Sequence, residues 1–195
     1  MIDFLLGLDV QLLLFINKLN APWLDEFMWQ VSSKWINIPV GIVIIYFLNT
    51  QLNYRKTTSV VLITMGIVLL TDSLSTHLFK EVFLRLRPSH DPSLSDQLHF
   101  YFVHPNQAYL GGQYGFLSAH AANLAAVFAL LYGFFSLNKK LLYIFTFYVV
   151  LVGYSRIYLG VHFPLDVLCG FFFGGLMGWL TRKLLMDKIL AKWAF

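Results

Sequence analysis

The chain has 195 residues, of which 58% are hydrophobic and 12% are charged, and its mean hydropathy is +0.66. Soluble domains carry about 25% charged residues, so this composition excludes an ordinary soluble protein and indicates an integral membrane protein. The formal net charge of +4 is modest, and we expect no nucleic-acid partner.

The N-terminal segment, residues 1–19, is apolar but too short and too interrupted to span a bilayer comfortably. The interruptions are Asp3, Asp9, Gln11 and Asn17. We interpret the segment as an amphipathic helix lying in the membrane interface, with a sixth crossing as the alternative. It has no basic flank and no small-residue cleavage site, so we expect no cleaved signal peptide.

Five further segments approach the roughly 20 residues needed to cross hydrocarbon. They are Pro22 to Leu48, Thr57 to Phe79, Phe116 to Leu137, Leu141 to Leu159 and Pro164 to Leu185. The first is truly apolar only from Ile36 onward. The second carries Asp72, which either pairs with the basic residues that follow or forms a hydrogen bond within the bundle. The sequence therefore predicts an all-α, polytopic membrane bundle of five to six transmembrane helices plus an N-terminal amphipathic helix. We expect residues 1–195 to form a single domain.

Lysine and arginine predict the orientation of this bundle. Most basic residues fall on one side of a five-span arrangement: Arg55, Lys56, Lys139, Lys140, Arg182, Lys183, Lys188 and Lys192. By the positive-inside rule that side is cytoplasmic. The opposite side holds Lys80, Arg85, Arg87, Arg156, His120 and His162, which would violate the rule unless they are functional. We therefore expect a bacterial inner-membrane protein whose active site faces the periplasm or the outside.

Other features predict packing or solvent exposure. Small residues recur on two spans and should allow close helix approach in lipid: Ala121, Ala122, Ala125, Ala126 and Ala129, then Gly170, Gly174 and Gly178. The polar loop from Pro88 to Gly115 contains His90, His99 and His104, which we interpret as solvated. The single cysteine, Cys169, excludes an internal disulfide and a multi-cysteine metal site.

Three short stretches carry the chemistry. They are Lys80 through Arg87 and Pro88, then Leu117-Ser118-Ala119-His120, then Ser155-Arg156 followed by His162 and Asp166. The cations suit phosphate oxygens, and Ser118 to His120 lie where a helix begins, so its free amides can face an anion. If the last stretch is helical, the carboxylate of Asp166 can hold one His162 nitrogen and leave the other as a nucleophile. Arg85 can reach a lipid head group or anchor at the interface. We expect neither a metal nor a cofactor.

Together these stretches resemble the signature of the type 2 phosphatidic acid phosphatase superfamily, which includes vanadium haloperoxidases and bacterial acid phosphatases, and within it the bacterial membrane lipid phosphatases. The resemblance covers about residues 60–185. The first and third stretches match fully, whereas the second has Leu117-Ser118-Ala119-His120 where the family usually has Pro-Ser-Gly-His. The resemblance implies His162 as the nucleophile, His120 as the general acid and Asp166 as its orienting carboxylate. It implies that Lys80, Arg87, Ser118 and Arg156 hold the phosphate, with Ala119 beside it, and that no metal takes part.

We therefore expect hydrolysis of the terminal phosphate of a lipid phosphate or diphosphate through a phosphohistidine. Undecaprenyl diphosphate is favoured because a compact chain with a modest outer loop suits a small head group. Phosphatidylglycerophosphate, phosphatidic acid and lipid A phosphates are alternatives. From other functional classes, a haloperoxidase and a non-catalytic membrane scaffold or transporter remain.

Overall fold

The computed structural model describes residues 2–192, and helices dominate this part of the chain. The α-helices are α1 (Ile2–Asn17), α2 (Pro22–Ser32), α3 (Asn37–Gln51), α4 (Tyr54–Leu74), α5 (Glu81–Phe83), α6 (Ala119–Phe135), α7 (Lys139–Tyr158), α8 (Pro164–Thr181) and α9 (Asp187–Lys192). A π-helical segment, Ser75–Lys80, joins α4 to α5, and a second, Arg182–Met186, joins α8 to α9.

The polar loop between α5 and α6 contains the remaining short elements. Two 3₁₀ turns, Pro88–His90 and Ser95–Gln97, precede a small antiparallel hairpin of β1 (Phe102–His104) and β2 (Gln107–Ala108). The loop packs back on the bundle, since the ring of Tyr101 stacks on Trp29 of α2 at 5.0 Å.

The described helices confirm an all-α membrane bundle, although fewer of them are long enough to span than expected. Three are long and apolar enough to cross a membrane: Tyr54–Phe83, Lys139–Tyr158 and Pro164–Ile189. The pair α1 and α2, bent by 118°, would make a fourth if it forms one broken span. The apolar helices α3 and α6 are shorter, at 15 and 17 residues.

The segment from Pro22 to Leu48 is not the single span that the sequence suggested. Helix α2 ends at Ser32, and Ser33 takes an extended conformation before a 3₁₀ turn leads into α3. The hydroxyl of Ser33 accepts a hydrogen bond from the Trp35 amide, so a polar side chain competes with the helix backbone at the break.

The N-terminal helix α1 turns two of its polar residues toward the protein and leaves two others, Asp3 and Gln11, exposed. Asp9 and Asn17 are buried, whereas Phe4 and Phe15 are more than 60% exposed. The Asn17 amide donates to the carbonyls of Tyr158 and His99. This arrangement suits a helix whose outer face meets lipid and whose polar groups find partners within the protein.

Helices α6 and α8 form the closest contact in the bundle core, and their small residues explain it. A Cβ at Gly174 would lie 2.7 Å from the Cα of Ala122, and one at Gly170 would lie 2.7 Å from the Ser118 carbonyl oxygen. The close approach predicted from the Ala and Gly pattern is confirmed. It holds the N-terminus of α6 against the first turns of α8, where the polar residues gather.

Candidate active site

The structure brings the three stretches together from separate parts of the chain. From the first stretch, Lys80 ends the first π-helical segment and Arg87 precedes the first 3₁₀ turn; from the second, Ser118 caps α6. From the third, Arg156 lies in the last turn of α7, His162 in the connection to α8, and Asp166 in the first turn of α8. The charges of Lys80, Arg87 and Arg156 act on both His120 and His162. Three cations and two imidazoles therefore share one site.

His162 is buried and held by Asp166. Its Nδ1 lies 3.4 Å from Asp166 Oδ2, which also accepts a hydrogen bond from the Phe163 amide at 3.0 Å. Burial, together with the positive charges of Arg87 and Arg156, lowers the pKa of His162 well below its usual 6.5. The imidazole is therefore neutral at physiological pH.

Arg85 links the other oxygen of Asp166 to the N-terminal helix. Its Nη1 donates to Asp166 Oδ1 and its Nη2 donates to Asp9 Oδ2, both at 2.7 Å. The guanidinium also lies 4.0 Å from the ring centre of Phe163, and the Leu165 amide donates to Asp9 Oδ1 at 2.8 Å. Arg85 thus acts as a clamp on the Asp166 carboxylate, an arrangement that neither of its two sequence interpretations included.

Asp9 is a residue of the site that sequence reasoning missed. It was counted only as an interruption of the apolar N-terminal segment, although its carboxylate is buried and paired with Arg85. The available signal was its charge, because a carboxylate within an apolar helix is costly and usually has a partner or a function.

Arg87 is fixed by one backbone carbonyl of the polar loop and one of the turn between α7 and α8. Its Nε donates to the Tyr114 carbonyl at 3.2 Å, and its Nη1 donates to the Val161 carbonyl at 3.4 Å. Gly111, with φ of +68°, passes so close that a Cβ there would lie 2.6 Å from Arg87 Nη1. Burial and the nearby Arg156 lower the pKa of Arg87 to about 10, so the side chain stays charged at neutral pH.

Arg156 and Ser118 each contribute a buried polar atom that the described part of the chain leaves without a partner. Arg156 donates to Ser32 Oγ and to the hydroxyl of Tyr109, but among the described residues its Nε has no hydrogen-bond partner. The same is true of Ser118 Oγ within residues 2–192. Buried polar groups are normally hydrogen-bonded, so these two atoms are suited to receive an anionic ligand.

The start of α6 adds backbone donors to the site. Ser118 is the N-cap residue without a side-chain capping bond, and its amide donates to the Asp166 carbonyl at 3.0 Å. Ala119 and His120 follow as the first helical residues, whose amides have no partners within a helix and carry the positive end of its dipole. Because Ala119 is small and buried, a phosphate can come close to this turn.

A cavity of about 500 Å³ reaches from His120 into the bundle between α3, α4, α6 and α7. Its wall near His120 is polar, with Asp72 and Asn123, whereas Leu48 and Leu131 line the part farther along the helices. A lipid whose phosphate lies among the cations can therefore place its hydrocarbon in this space.

The loop histidines lie outside this cluster. His99 Nε2 is 2.9 Å from Asp25 Oδ2, His90 Nδ1 is 3.2 Å from Ser89 Oγ, and His104 is exposed in β1. Their interpretation as solvated residues is confirmed for His104 and for His99, which is exposed although it pairs with Asp25, whereas His90 is partly buried. The loop itself takes part in the site through Tyr109 and the carbonyl of Tyr114.

Similarity to known proteins agrees with this geometry. The sequence model of the PAP2 superfamily matches residues 59–190. A lipid A 4'-phosphatase of Porphyromonas gingivalis is 36% identical over 185 residues, covering 93% of this chain and 74% of the relative. Phosphatidylglycerophosphatase B of Bacillus subtilis is 33% identical over 172 residues, covering 84% and 76% of the two chains.

Two crystal structures share the fold. The PAP2-type phosphatidylglycerolphosphate phosphatase of Bacillus subtilis aligns with a TM-score of 0.63 at 24% identity, covering 96% of this chain and 87% of that one. LpxE of Aquifex aeolicus aligns with a TM-score of 0.58 at 26% identity, covering 90% and 95%. The chain therefore belongs to the PAP2 superfamily and is a membrane lipid phosphatase.

Proposed function

We propose that this protein hydrolyses the terminal phosphate from a membrane lipid phosphate or diphosphate through a phosphohistidine on His162. The observation that carries the proposal is a buried, neutral imidazole oriented by Asp166 beside Lys80, Arg87 and Arg156. A neutral nucleophile beside three cations that can hold an anion is an arrangement suited to phosphoryl transfer.

The chemical steps follow from the placement of the two histidines. His162 Nε2 attacks phosphorus, and the bond between phosphorus and the leaving oxygen breaks as His120 donates a proton to that oxygen. A water molecule then attacks the phosphorus of the phosphohistidine, and the bond between phosphorus and His162 Nε2 breaks. His120 takes up a proton from the water, and inorganic phosphate leaves. Lys80, Arg87, Arg156, Ser118 Oγ and the amide of Ala119 stabilise the charge on the equatorial oxygens.

For the substrate, we propose the phosphorylated head group of a lipid A type glycolipid. Two lipid A 4'-phosphatases, from Porphyromonas gingivalis and Bacteroides thetaiotaomicron, are 36% and 33% identical to this chain. Undecaprenyl diphosphate, which the sequence analysis favoured, is the second candidate, supported by an undecaprenyl-diphosphatase of Sulfolobus acidocaldarius that is 30% identical over 189 residues.

The test is phosphate release by detergent-solubilised protein from a panel of lipid A, phosphatidylglycerophosphate, phosphatidic acid and undecaprenyl diphosphate. We expect turnover of lipid A in excess chelator and inhibition by vanadate, since protein cations supply the positive charge and vanadate can mimic the five-coordinate phosphoryl group. Activity that is lost in chelator and restored by magnesium would contradict the histidine mechanism.

We further propose that the site faces the periplasm or the outside of a bacterial inner membrane, because the basic residues outside the site cluster on the other side. Single cysteines at Ser93 and Asn138, in a protein with Cys169 replaced by alanine, should label from opposite sides of intact cells. Labelling of the Asn138 position, but not the Ser93 position, by an impermeant reagent would invert this orientation.

A further inference from the structure

The polar end of the cavity contains a carboxylate that the phosphatase steps above do not use. Asp72 lies in α4, in a helix long enough to span the membrane, and its side chain is exposed on the cavity wall. A carboxylate at such a position is costly and is normally retained for a function. Its position on the wall that also holds His120 places it on the leaving-group side of the site.

Asn123 lies beside it, one helical turn after His120 and on the same face of α6. Its Nδ2 donates to Asp72 Oδ1 over 3.3 Å, near the long limit for a hydrogen bond. Within the described part of the chain, Asn123 Oδ1 is buried and has no hydrogen-bond partner. The pair therefore offers two acceptors, the Asp72 carboxylate and the Asn123 carbonyl, to which residues 2–192 supply one weak donor.

We propose that Asp72 and Asn123 form a subsite for the leaving alcohol. The subsite accepts hydrogen bonds from a second hydroxyl, or an amide N–H, that lies close to the phosphorylated carbon of that alcohol. This proposal rests on the proposed function and narrows its substrate class. Phosphorylated sugars of glycolipids and the terminal glycerol of phosphatidylglycerophosphate carry such donors. Phosphatidic acid has none, and undecaprenyl diphosphate leaves as a phosphate whose negative charge the Asp72 carboxylate would repel.

A second role for Asp72 makes a different prediction. Its negative charge acts on Lys80, so Asp72 can also modulate the phosphate-binding cation. If Asp72 acts through Lys80, its loss changes the binding of every phosphate. If it accepts a hydrogen bond from the leaving alcohol, its loss slows hydrolysis only of substrates that carry such a donor. The ratio of two substrates that differ in one hydroxyl separates the two roles.

The matched substrates are phosphatidylglycerophosphate and its analogue lacking the free hydroxyl of the terminal glycerol. We expect the wild-type kcat/KM to be at least about tenfold higher for the hydroxylated lipid, since a site with unpaired acceptors discriminates against a ligand that lacks the donor. Asp72→Ala and Asn123→Leu should bring the ratio close to one. The ratio does not depend on how much of each variant folds, because both substrates are measured on the same preparation.

Thr64→Val is the matched control, since Thr64 lines the same cavity but its hydroxyl already donates to the Val60 carbonyl at 2.8 Å. It should leave the substrate ratio unchanged. A wild-type ratio near one, or equal losses for both lipids in Asp72→Ala, would overturn the subsite while leaving the phosphatase proposal intact. Hydrolysis of no lipid phosphate at all by the wild-type protein would overturn both.

Discussion

The two histidines of the site have contrasting surroundings. His162 is almost completely buried, and a chain of polar contacts extends from it through Asp166 and Arg85 to Asp9 on the N-terminal helix. His120 instead lies on the wall of a cavity whose lining is largely apolar. One imidazole is fixed by the protein, and the other faces the space that a lipid would occupy.

This difference matches the demands of the two proposed roles. A nucleophile must hold one orientation and one protonation state, and buried carboxylate and guanidinium groups provide both. A general acid must meet the leaving oxygen, whose position depends on the substrate. Substitutions near His162 and near His120 should therefore change the rate by different amounts, and those effects should depend differently on the leaving group.

The largest effect is expected for His162→Ala, which removes the attacking nitrogen. Turnover of every substrate should fall by about 10⁴ or more, as it does when a catalytic nucleophile is lost, and no phosphoenzyme should form. Rapid quenching with ³²P-labelled lipid measures both. His104→Ala, at an exposed loop position, is the control and should remain active. A trapped phosphoenzyme in His162→Ala would reassign the nucleophile.

The next effect is expected for His120→Ala, and it should depend on the leaving group. General acid catalysis contributes about 10² to 10⁴ in rate, so most of that factor should be lost for a monophosphate lipid, whose leaving alkoxide needs a proton. Less should be lost for undecaprenyl diphosphate, whose leaving phosphate carries negative charge readily. Single-turnover phosphorylation is the required measurement, because His120 also acts in the second step. An equal loss of phosphorylation rate for the monophosphate and the diphosphate lipid would indicate that His120 mainly binds phosphate.

A smaller effect is expected for Arg85→Leu, which removes the clamp on Asp166. We expect kcat to fall by about 10- to 100-fold, the range typical of groups that orient a catalytic ligand, with little change in KM. Arg85→Lys should restore part of the rate, and Asp9→Asn should lower kcat in the same way. A raised KM at unchanged kcat would instead show that Arg85 contacts the lipid head group.

The smallest effect on chemistry, but a clear one on stability, is expected for Gly174→Ala. The added methyl would meet the backbone of Ala122, and overpacking of this kind costs about 1–3 kcal/mol. Thermal unfolding in detergent should therefore occur at a lower temperature. Gly175→Ala is the matched control, because a Cβ there has no neighbour within 4 Å. Equal stability of both variants would mean that α6 and α8 can separate without loss.

Prediction from sequence succeeded where the signal is local. The apolar segments for α4, α7 and α8 were located to within a few residues because each has nearly continuous hydrophobicity. The break between α2 and α3 was missed, although the polar residues before Ile36, Ser32 and Ser33 among them, were its local signal. The clamp on Asp166 was also missed, because Arg85 lies 81 residues before Asp166 and 76 residues after Asp9 in the sequence.

The sequence by itself determined the membrane setting, the helical class and the set of chemical groups, because composition and motif order do not depend on how helices pack. It also indicated the proposed catalytic pair, since His162 and Asp166 are four residues apart. Only the tertiary structure decided that Arg85 binds Asp166 and Asp9, and that Asp72 and Asn123 share a cavity wall with His120. The physical reason is that each of these contacts joins separate helices, whose relative positions are set by close packing such as that of Gly174 on Ala122.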